Sequence, residues 1–388
     1  MESLRIGMFS WESLYSVKVG GIAPHVSELA ETLAAKGHEV HVFTRIGDKS
    51  EYDEINGVHY QRCPHDQSGG VVTQMDRMCE AMVHRFDAVQ KLFGEFDICH
   101  GHDWHPVIAL NTIKSTYGVP YVLTFHSTEW GRTGNMFGSW WEFREISHRE
   151  WLAGYESAAV IVTSANLKSE LQFLYQIPEY KLHLIPNGLN AGKIKRAIDP
   201  GTIKKQYGIH PLAPVVLFIG RMSYQKGPDL LVEAVPKVLA SRWDVKVVFI
   251  GEGELRRSCE QRIAQLGVKH ACHFLGYASD DVAADWMNAC DLVCVPSRNE
   301  PFCIVVLEAW DADKPVVGTE AVHLISNFTT GIKAYLSPDS LAWCITYALA
   351  NPEAARRMSE NGKKWITKKY NWNCIADEVV AVYKRVME

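Results

Sequence analysis

At 388 residues the chain exceeds the usual size of a single core, so two domains of roughly 150–200 residues are expected. A hydrophobic share of 47% with 22% charged residues excludes a disordered or fibrous chain, and a formal charge of −5 excludes a general attraction to nucleic acid or anionic membrane. No apolar run approaches the roughly 20 residues that span a bilayer, "MESLRIGMFSW" lacks the basic start of a secretory signal, and ten scattered cysteines without a C-x-x-C pair suit packed thiols in a reducing cytosol, so a cytoplasmic protein is expected.

The first strand is predicted at "LRIGMFS". The loop after it, "SVKVGGIAPHVSELA", has a Gly20–Gly21 pair that permits close backbone approach to a ligand ahead of a helix. In that helix Val26, Leu29, Ala30 and Leu33 fall at helical spacing, and Gly37 ends it. Further strands are predicted at "HEVHVFT", "FDICHGH", "PYVLTFH", "AVIVTSA" and "LHLIPNG". "HGHDWH", His100 to His105, has the look of a metal site, but His100 and His102 sit at a strand end with no separate carboxylate or cysteine cluster identifiable, so no metal is assigned. "VLTFHSTEWGR" ends a strand with His126 and carries Glu129 and Arg132 on its exit. "GSWWEFREISHREWLAGYE" concentrates Trp140, Trp141, Phe143, Trp151 and Tyr155; core packing is expected for most of these rings. Its charges disfavour an anionic lipid surface.

The rhythm breaks between Asn187 and Pro214, where Gly, Pro and Lys predict an exposed linker. It restarts with strands at "PVVLFIGR", "VKVVFIGEG", "HFLGYAS", "LVCVPSR" and "KPVVGTE". Continuous apolar strands alternating with helices predict an α/β protein of two doubly wound, Rossmann-like parallel-sheet domains facing each other across a cleft. The expected division is 1–195 and 196–370.

Three strand exits of the second half carry the chemistry. "LFIGRMSYQKG" sets Arg221 and Lys226 ahead of a helix beginning near Pro228, where cations, dipole and free N–H groups suit a diphosphate. "VVFIGEGELRR" has the Gly251-x-Gly253 turn, but Arg256 stands where a dinucleotide fingerprint needs its third glycine; a turn admitting a nucleotide base remains open. In "SRNEPFCIVVLEAW", Glu300 is expected on a loop at the mouth of the cleft, with Glu308 nearly two helical turns further in. Phe302, Cys303 and Ile304 begin the helix between them, whose N-terminus again suits phosphate. Carboxylates at such positions can accept hydrogen bonds from sugar or ribose hydroxyls.

"GRMSYQKG" followed by "EPFCIVVLE", with the "KVGG" and "HDWH" elements in the same order, resembles the retaining glycosyltransferases of the GT-B fold that include glycogen and starch synthases. The resemblance implies that Lys18, Arg221 and Lys226 meet donor phosphate, Glu300 the sugar hydroxyls and Glu308 the ribose. It implies that His126 lies near the reacting carbon, that Asp103 lines the acceptor side with Glu129 and Arg132 as weaker partners, and that helix 371–388 crosses back to the first domain. The chain departs from the family's usual glycines at Cys303, at Asp313 and over Thr319 to Val322. The expected activity is metal-independent, same-face transfer of a hexose, glucose on the glucan-synthase resemblance, from a UDP- or ADP-sugar to a carbohydrate acceptor, without a cofactor. The alternatives are a small-molecule or lipid-linked acceptor, a sugar-nucleotide epimerase, or a catalytically weak sugar-nucleotide binder.

Overall fold

The computed structural model describes residues 3–388 and divides into two compact units. One comprises the described chain up to Trp130, Met136–Gly188 and Trp372–Glu388; the other comprises Gly131–Asn135 and Leu189–Asn371.

The first unit is built on strands β1 (Arg5–Phe9), β2 (Glu39–Arg45), β3 (Tyr52–Ile55), β4 (Val58–Cys63), β5 (Ile98–His102), β6 (Tyr121–Phe125), β7 (Ala159–Val162) and β8 (Leu182–Leu184). Their order in the sheet is β3-β4-β2-β1-β5-β6-β7-β8, parallel except for the β3–β4 hairpin. That hairpin turns at Asn56-Gly57, both with positive φ, the residue pair a tight two-residue turn demands. Most central strands are buried along their whole length, as a sheet covered on both faces requires. One face packs the predicted stripe of helix Ile22–Ala35 (Val26, Leu29, Ala30 and Leu33) together with Trp372, Ile375, Val379 and Tyr383 of the last helix, Trp372–Met387. The Trp372 indole N–H donates to Glu28 Oε2, fixing the start of that helix on the sheet. The other face is covered by helices Val71–Phe93, Val107–Tyr117, Trp141–Glu156 and Ala165–Tyr175.

The second unit has β9 (Val215–Ile219), β10 (Lys246–Ile250), β11 (Cys272–Gly276), β12 (Leu292–Val295), β13 (Val316–Thr319) and β14 (Ile332–Ala334), all parallel in the order β11-β10-β9-β12-β13-β14. Both sheets are wound outward in two directions from a switch point, between β1 and β5 in one and between β9 and β12 in the other. Loops leaving the carboxyl ends of those strands are where such folds hold ligands.

Two expectations need correction. The segment after Asn187 is not a bare linker: Leu189, Ile209 and Ala213 are buried in the second unit's core, and Asp199 caps a helix over Pro200–Gln206. Asp311 anchors its start, accepting from the backbone N–H groups of Gly192 (2.6 Å) and Ile194 (2.8 Å). Of the five rings between Trp140 and Tyr155 only Phe143 is core; Trp140, Trp141, Trp151 and Tyr155 are exposed, and Trp151 stacks on Tyr155 in solvent. Among the described residues no helix is long and apolar enough to cross a membrane.

Trp372→Ala should destabilise the first unit by about 3–5 kcal/mol, the range for emptying a buried aromatic site. Urea unfolding of variant and parent, followed by tryptophan-independent circular dichroism, measures it.

Candidate active site

In the second unit, the exits of β9, β10 and β12 converge because their backbones touch. Gly220 N–H donates to Ile250 O at 3.0 Å, Met222 N–H to Glu252 O at 2.8 Å, and Arg298 N–H to Gln225 O at 2.8 Å. Gly251, at φ +135°, could not be another residue, since a Cβ there would collide with the Gly220 carbonyl. Gly253 lies just as close to Met222. Arg256, in the position of a third fingerprint glycine, opens helix Arg256–Gln265 and pairs with Glu252 and Glu260.

On this frame Arg221 is exposed and makes no ion pair among the described residues. Lys226 lies before helix Pro228–Ser241, but its ammonium is already engaged: Nζ is 2.9 Å from Glu300 Oε1 and 2.8 Å from Oε2. Glu300 is therefore not an open carboxylate. It is buried, 6% exposed, and also accepts from Ser297 Oγ at 3.0 Å. Glu308 is the more accessible of the two acids, the reverse of the expected order, because the "RNEP" loop folds inward against the β9 exit. Arg298, which the sequence reading passed over, braces that fold: it grips Asp229 through two nitrogens (2.9 and 2.6 Å) and lies over the Tyr224 ring at 4.0 Å.

The helix after Glu300 runs from Ile304 to Asp311, two residues later than expected, with half-buried Phe302 and buried Cys303 leading into it. Burial pushes the Cys303 thiol well up, so it is no nucleophile. Its φ of −93° is ordinary for a side-chain-bearing residue, so the absent glycine introduces no strain there. None of Thr319 to Val322 has positive φ either; the Thr319 hydroxyl donates to Ser297 O and steadies the Glu300 loop. Asp313 is different: at φ +59° it occupies the left-handed region that a glycine would enter freely, held by ion pairs to Lys195 and Lys363.

The first unit presents its predicted residues at its own switch point. Lys18, Gly20 and Gly21 are exposed in the loop after β1. Buried Glu12 holds that loop, accepting from the N–H groups of Val19 and of Gly20 (2.7 Å). Burial outweighs those bonds and raises the Glu12 pKa. Neither Gly20 nor Gly21 has positive φ, so the pair serves openness rather than backbone strain. Across the switch point, Trp11 stacks on His105 with ring centroids 4.5 Å apart.

Asp103 does not face an open wall. It is 1% exposed, and its Oδ1 accepts from the backbone N–H groups of His126 (2.6 Å) and Ser127 (3.3 Å). Glu150, hidden among the aromatic residues of its helix, accepts from Glu129 N–H at 2.9 Å, and the Thr128 hydroxyl donates to Glu170. Three carboxylates thus set the path of the exit loop toward the short helix Glu129–Arg132. His126 is half-buried, and burial first, then repulsion from His100 and His105, lowers its pKa to about 3, so it is a neutral imidazole. It packs against His25 and His102, a grouping that strand and helix patterns in the sequence do not reveal.

Two family models match the chain: "Glycosyl transferases group 1" over residues 200–365 and "Glycosyltransferase Family 4" over 19–193. An uncharacterised glycosyltransferase of Methanocaldococcus jannaschii is 35% identical, covering 99% of both chains. The chain belongs to the group 1 glycosyltransferases. A glycogen synthase of Mycobacterium tuberculosis is 28% identical over 98% of this chain and 94% of its own. The structure of a sucrose-phosphate synthase from Thermosynechococcus elongatus superposes with a TM-score of 0.83 at 21% identity, covering 99% of each chain, which shows the GT-B fold. In this glycosyltransferase, then, the candidate residues lie at the β9, β10 and β12 exits within the second unit and, separately, at the β1, β5 and β6 exits within the first.

Lys226→Met should lower the stability of the second unit by about 1.5–3 kcal/mol, because it leaves a buried carboxylate without its charged partner. Adding Glu300→Gln should recover most of the loss. Denaturant unfolding of both single variants and the double variant measures the coupling, and additive losses would show that the pair contributes no net interaction.

Proposed function

We propose that this glycosyltransferase moves a glucosyl unit from UDP- or ADP-glucose to the end of an α-glucan, with retention and without a metal ion. The observation that carries the reading is the Arg221, Lys226 and Glu300 constellation at the β9–β12 switch point, beside the N-termini of helices Pro228–Ser241 and Ile304–Asp311. Arg221 and the helix N-termini are suited to the charge that develops on a departing diphosphate. Lys226 would exchange its present partner for phosphate, releasing Glu300 to accept hydrogen bonds from sugar hydroxyls, while Glu308 takes the ribose. The anomeric carbon–oxygen bond to phosphate breaks, the acceptor oxygen bonds to the same face, and its proton leaves on the diphosphate. Neutral His126 acts by hydrogen bonding near the reacting carbon, and Asp103 orients it through the backbone N–H groups of the exit loop. Lys18 adds a phosphate contact. Likeness to glycogen synthase supports the glucan acceptor.

A second reading, a lipid-linked or otherwise apolar acceptor, is favoured by the exposed Trp140, Trp141, Trp151 and Tyr155 on the first unit.

The deciding experiment pairs UDP-glucose and ADP-glucose with malto-oligosaccharides, sugar phosphates, polyols and lipid acceptors. Nucleoside diphosphate should appear only when glucan is present, the glucan should lengthen by an α-linkage, and the rate should survive EDTA. Transfer to a small or lipid acceptor with none to glucan replaces the acceptor assignment. Release without any acceptor-derived product favours an epimerase or hydrolytic reading.

Arg221→Ala should weaken UDP or ADP binding by about 1.5–3 kcal/mol, roughly 10- to 150-fold, and leave uridine or adenosine binding nearly unchanged. Calorimetric titration with nucleoside and nucleoside diphosphate tests this, and equal losses for both would remove Arg221 from the phosphate site.

A further inference from the structure

Three imidazoles from distant parts of the chain meet inside the first unit. His25 comes from helix Ile22–Ala35, His102 from the last position of β5 and His126 from the exit of β6. One ring nitrogen of each lies within 4.8 Å of the other two. His102 Nδ1 and His126 Nε2 share a hydrogen bond at 3.2 Å. Around a tetrahedral ion with metal–nitrogen bonds of about 2.0–2.1 Å, ligand nitrogens stand ~3.4 Å apart. The hydrogen-bonded His102–His126 pair is already near that separation, and the other nitrogens need to approach by at most about 1.4 Å to reach it.

Local hydrogen bonding accounts for only part of this cluster, through the His102–His126 and His25–Asn187 contacts. His25 is 4% exposed and has the Asn187 side chain within hydrogen-bonding reach, while His102 is fully buried with Nε2 unpartnered. Asn187, buried as well, reaches His25 with its side chain and so belongs to the same cluster. An unpartnered buried nitrogen on His102, beside two further imidazoles and an amide, runs against the rule that buried polar groups are satisfied. The neighbouring His100 obeys that rule, with Nδ1 2.6 Å from the Tyr383 hydroxyl and Nε2 2.7 Å from Thr124 Oγ1, so it is not part of the donor set.

We propose that His25, His102 and His126 bind one divalent transition-metal ion of the Zn²⁺ class, with Asn187 Oδ1 as the fourth donor, and that the bound ion inhibits transfer by withholding His126. The inhibitory half rests on the role given to His126 above; the binding half does not. Three imidazole nitrogens and an oxygen are a donor set that favours zinc, cobalt, nickel or copper over magnesium or calcium. The ion takes no part in charge stabilisation at the diphosphate, so chelators spare activity while added Zn²⁺ suppresses it.

The test uses the full chain, stripped with EDTA and desalted, titrated with Co²⁺ and followed by its visible d–d absorption, with Zn²⁺ competition for stoichiometry. One ion per chain should bind with the intense bands of a four-coordinate site. His25→Gln and His102→Gln should each weaken binding by more than the roughly 10- to 100-fold that follows loss of an outer partner. His59→Gln, at the separate His41–His59 pair, should leave it unchanged. Circular dichroism of each variant separates loss of a ligand from loss of fold, and His25→Gln, on a helix rather than a central strand, serves if His102→Gln fails to fold. In the transfer assay Zn²⁺ should inhibit the parent in proportion to occupancy, with EDTA restoring the rate. Absence of cobalt bands, equal affinity in folded His25→Gln, or undiminished transfer by the occupied enzyme would each overturn the proposal. If no donor–acceptor pair supports any transfer, the functional reading fails while the cobalt titration still decides the site.

Discussion

Everything placed at the candidate site depends on one property of parallel sheets wound in two directions. At the switch point adjacent strands send their chains to opposite sides, so the exit loops there have no crossover element lying over them. That leaves room for a ligand, and it also leaves backbone N–H groups without sheet or helix partners. This chain supplies the missing acceptors with buried carboxylates. Glu12 takes two N–H groups of the β1 exit, Asp103 takes two of the β6 exit, and Glu150 takes the N–H of Glu129. In the second unit the device differs: Lys226 satisfies Glu300 directly, and Arg298 clamps the β12 exit to Asp229. Charge-assisted bonds of this kind are stronger than neutral ones and hold a loop to a single path.

The departures from family glycines illustrate how backbone conformation, not residue identity, sets the cost of a substitution. Cys303 and the Thr319–Val322 stretch occupy conformations open to any side chain, and Thr319 adds a hydrogen bond that a glycine could not make. Only Asp313 stands where φ is positive, and aspartate is among the few residues that tolerate it. Its two lysine partners, Lys195 and Lys363, come from the start of the second unit and from helix Pro352–Lys369, so the strained position also ties the chain's entry to its exit helix. The lost glycines therefore do not by themselves argue for a weakened site.

The strands that carry ligand-facing exits were legible because central parallel strands are continuous apolar runs; β1, β5, β6, β9, β10 and β12 all lie within runs read from the sequence. The β3–β4 hairpin escaped that reading because its strands are polar on one side, although "INGV" holds the Asn-Gly pair that marks a two-residue turn. β14, three residues long, carries too little pattern to read. Burial of the two acids was inverted, since nothing local in "SRNEP" reveals that Lys226 will meet Glu300. The exposed tryptophans were misjudged for a related reason: large rings are usually core, and only tertiary structure reveals which side of helix Trp141–Glu156 has no partner. The histidine trio and the anchoring carboxylates are tertiary facts of the same kind. Each member is an ordinary residue in its own segment.

The Lys226–Glu300 pair also bears on how a site can be stable when empty and still receive a highly charged ligand. Two lysine or arginine cations held together without counter-charge would repel, and one of them would favour swinging into solvent. Here Glu300 neutralises Lys226, so the constellation carries the single uncompensated charge of exposed Arg221. Under the proposed reading the donor brings its own phosphate anions and its own hydroxyl donors. The phosphate then replaces the carboxylate at Lys226, and hydroxyls replace the ammonium at Glu300. Lys226 and Glu300 are each matched before and after the exchange, which avoids stranding a buried charge at either stage. A nucleoside diphosphate lacking the sugar satisfies only half of that exchange, since it offers phosphate to Lys226 and nothing to Glu300. Discrimination for a complete sugar donor then follows from the pair itself rather than from a separate specificity pocket.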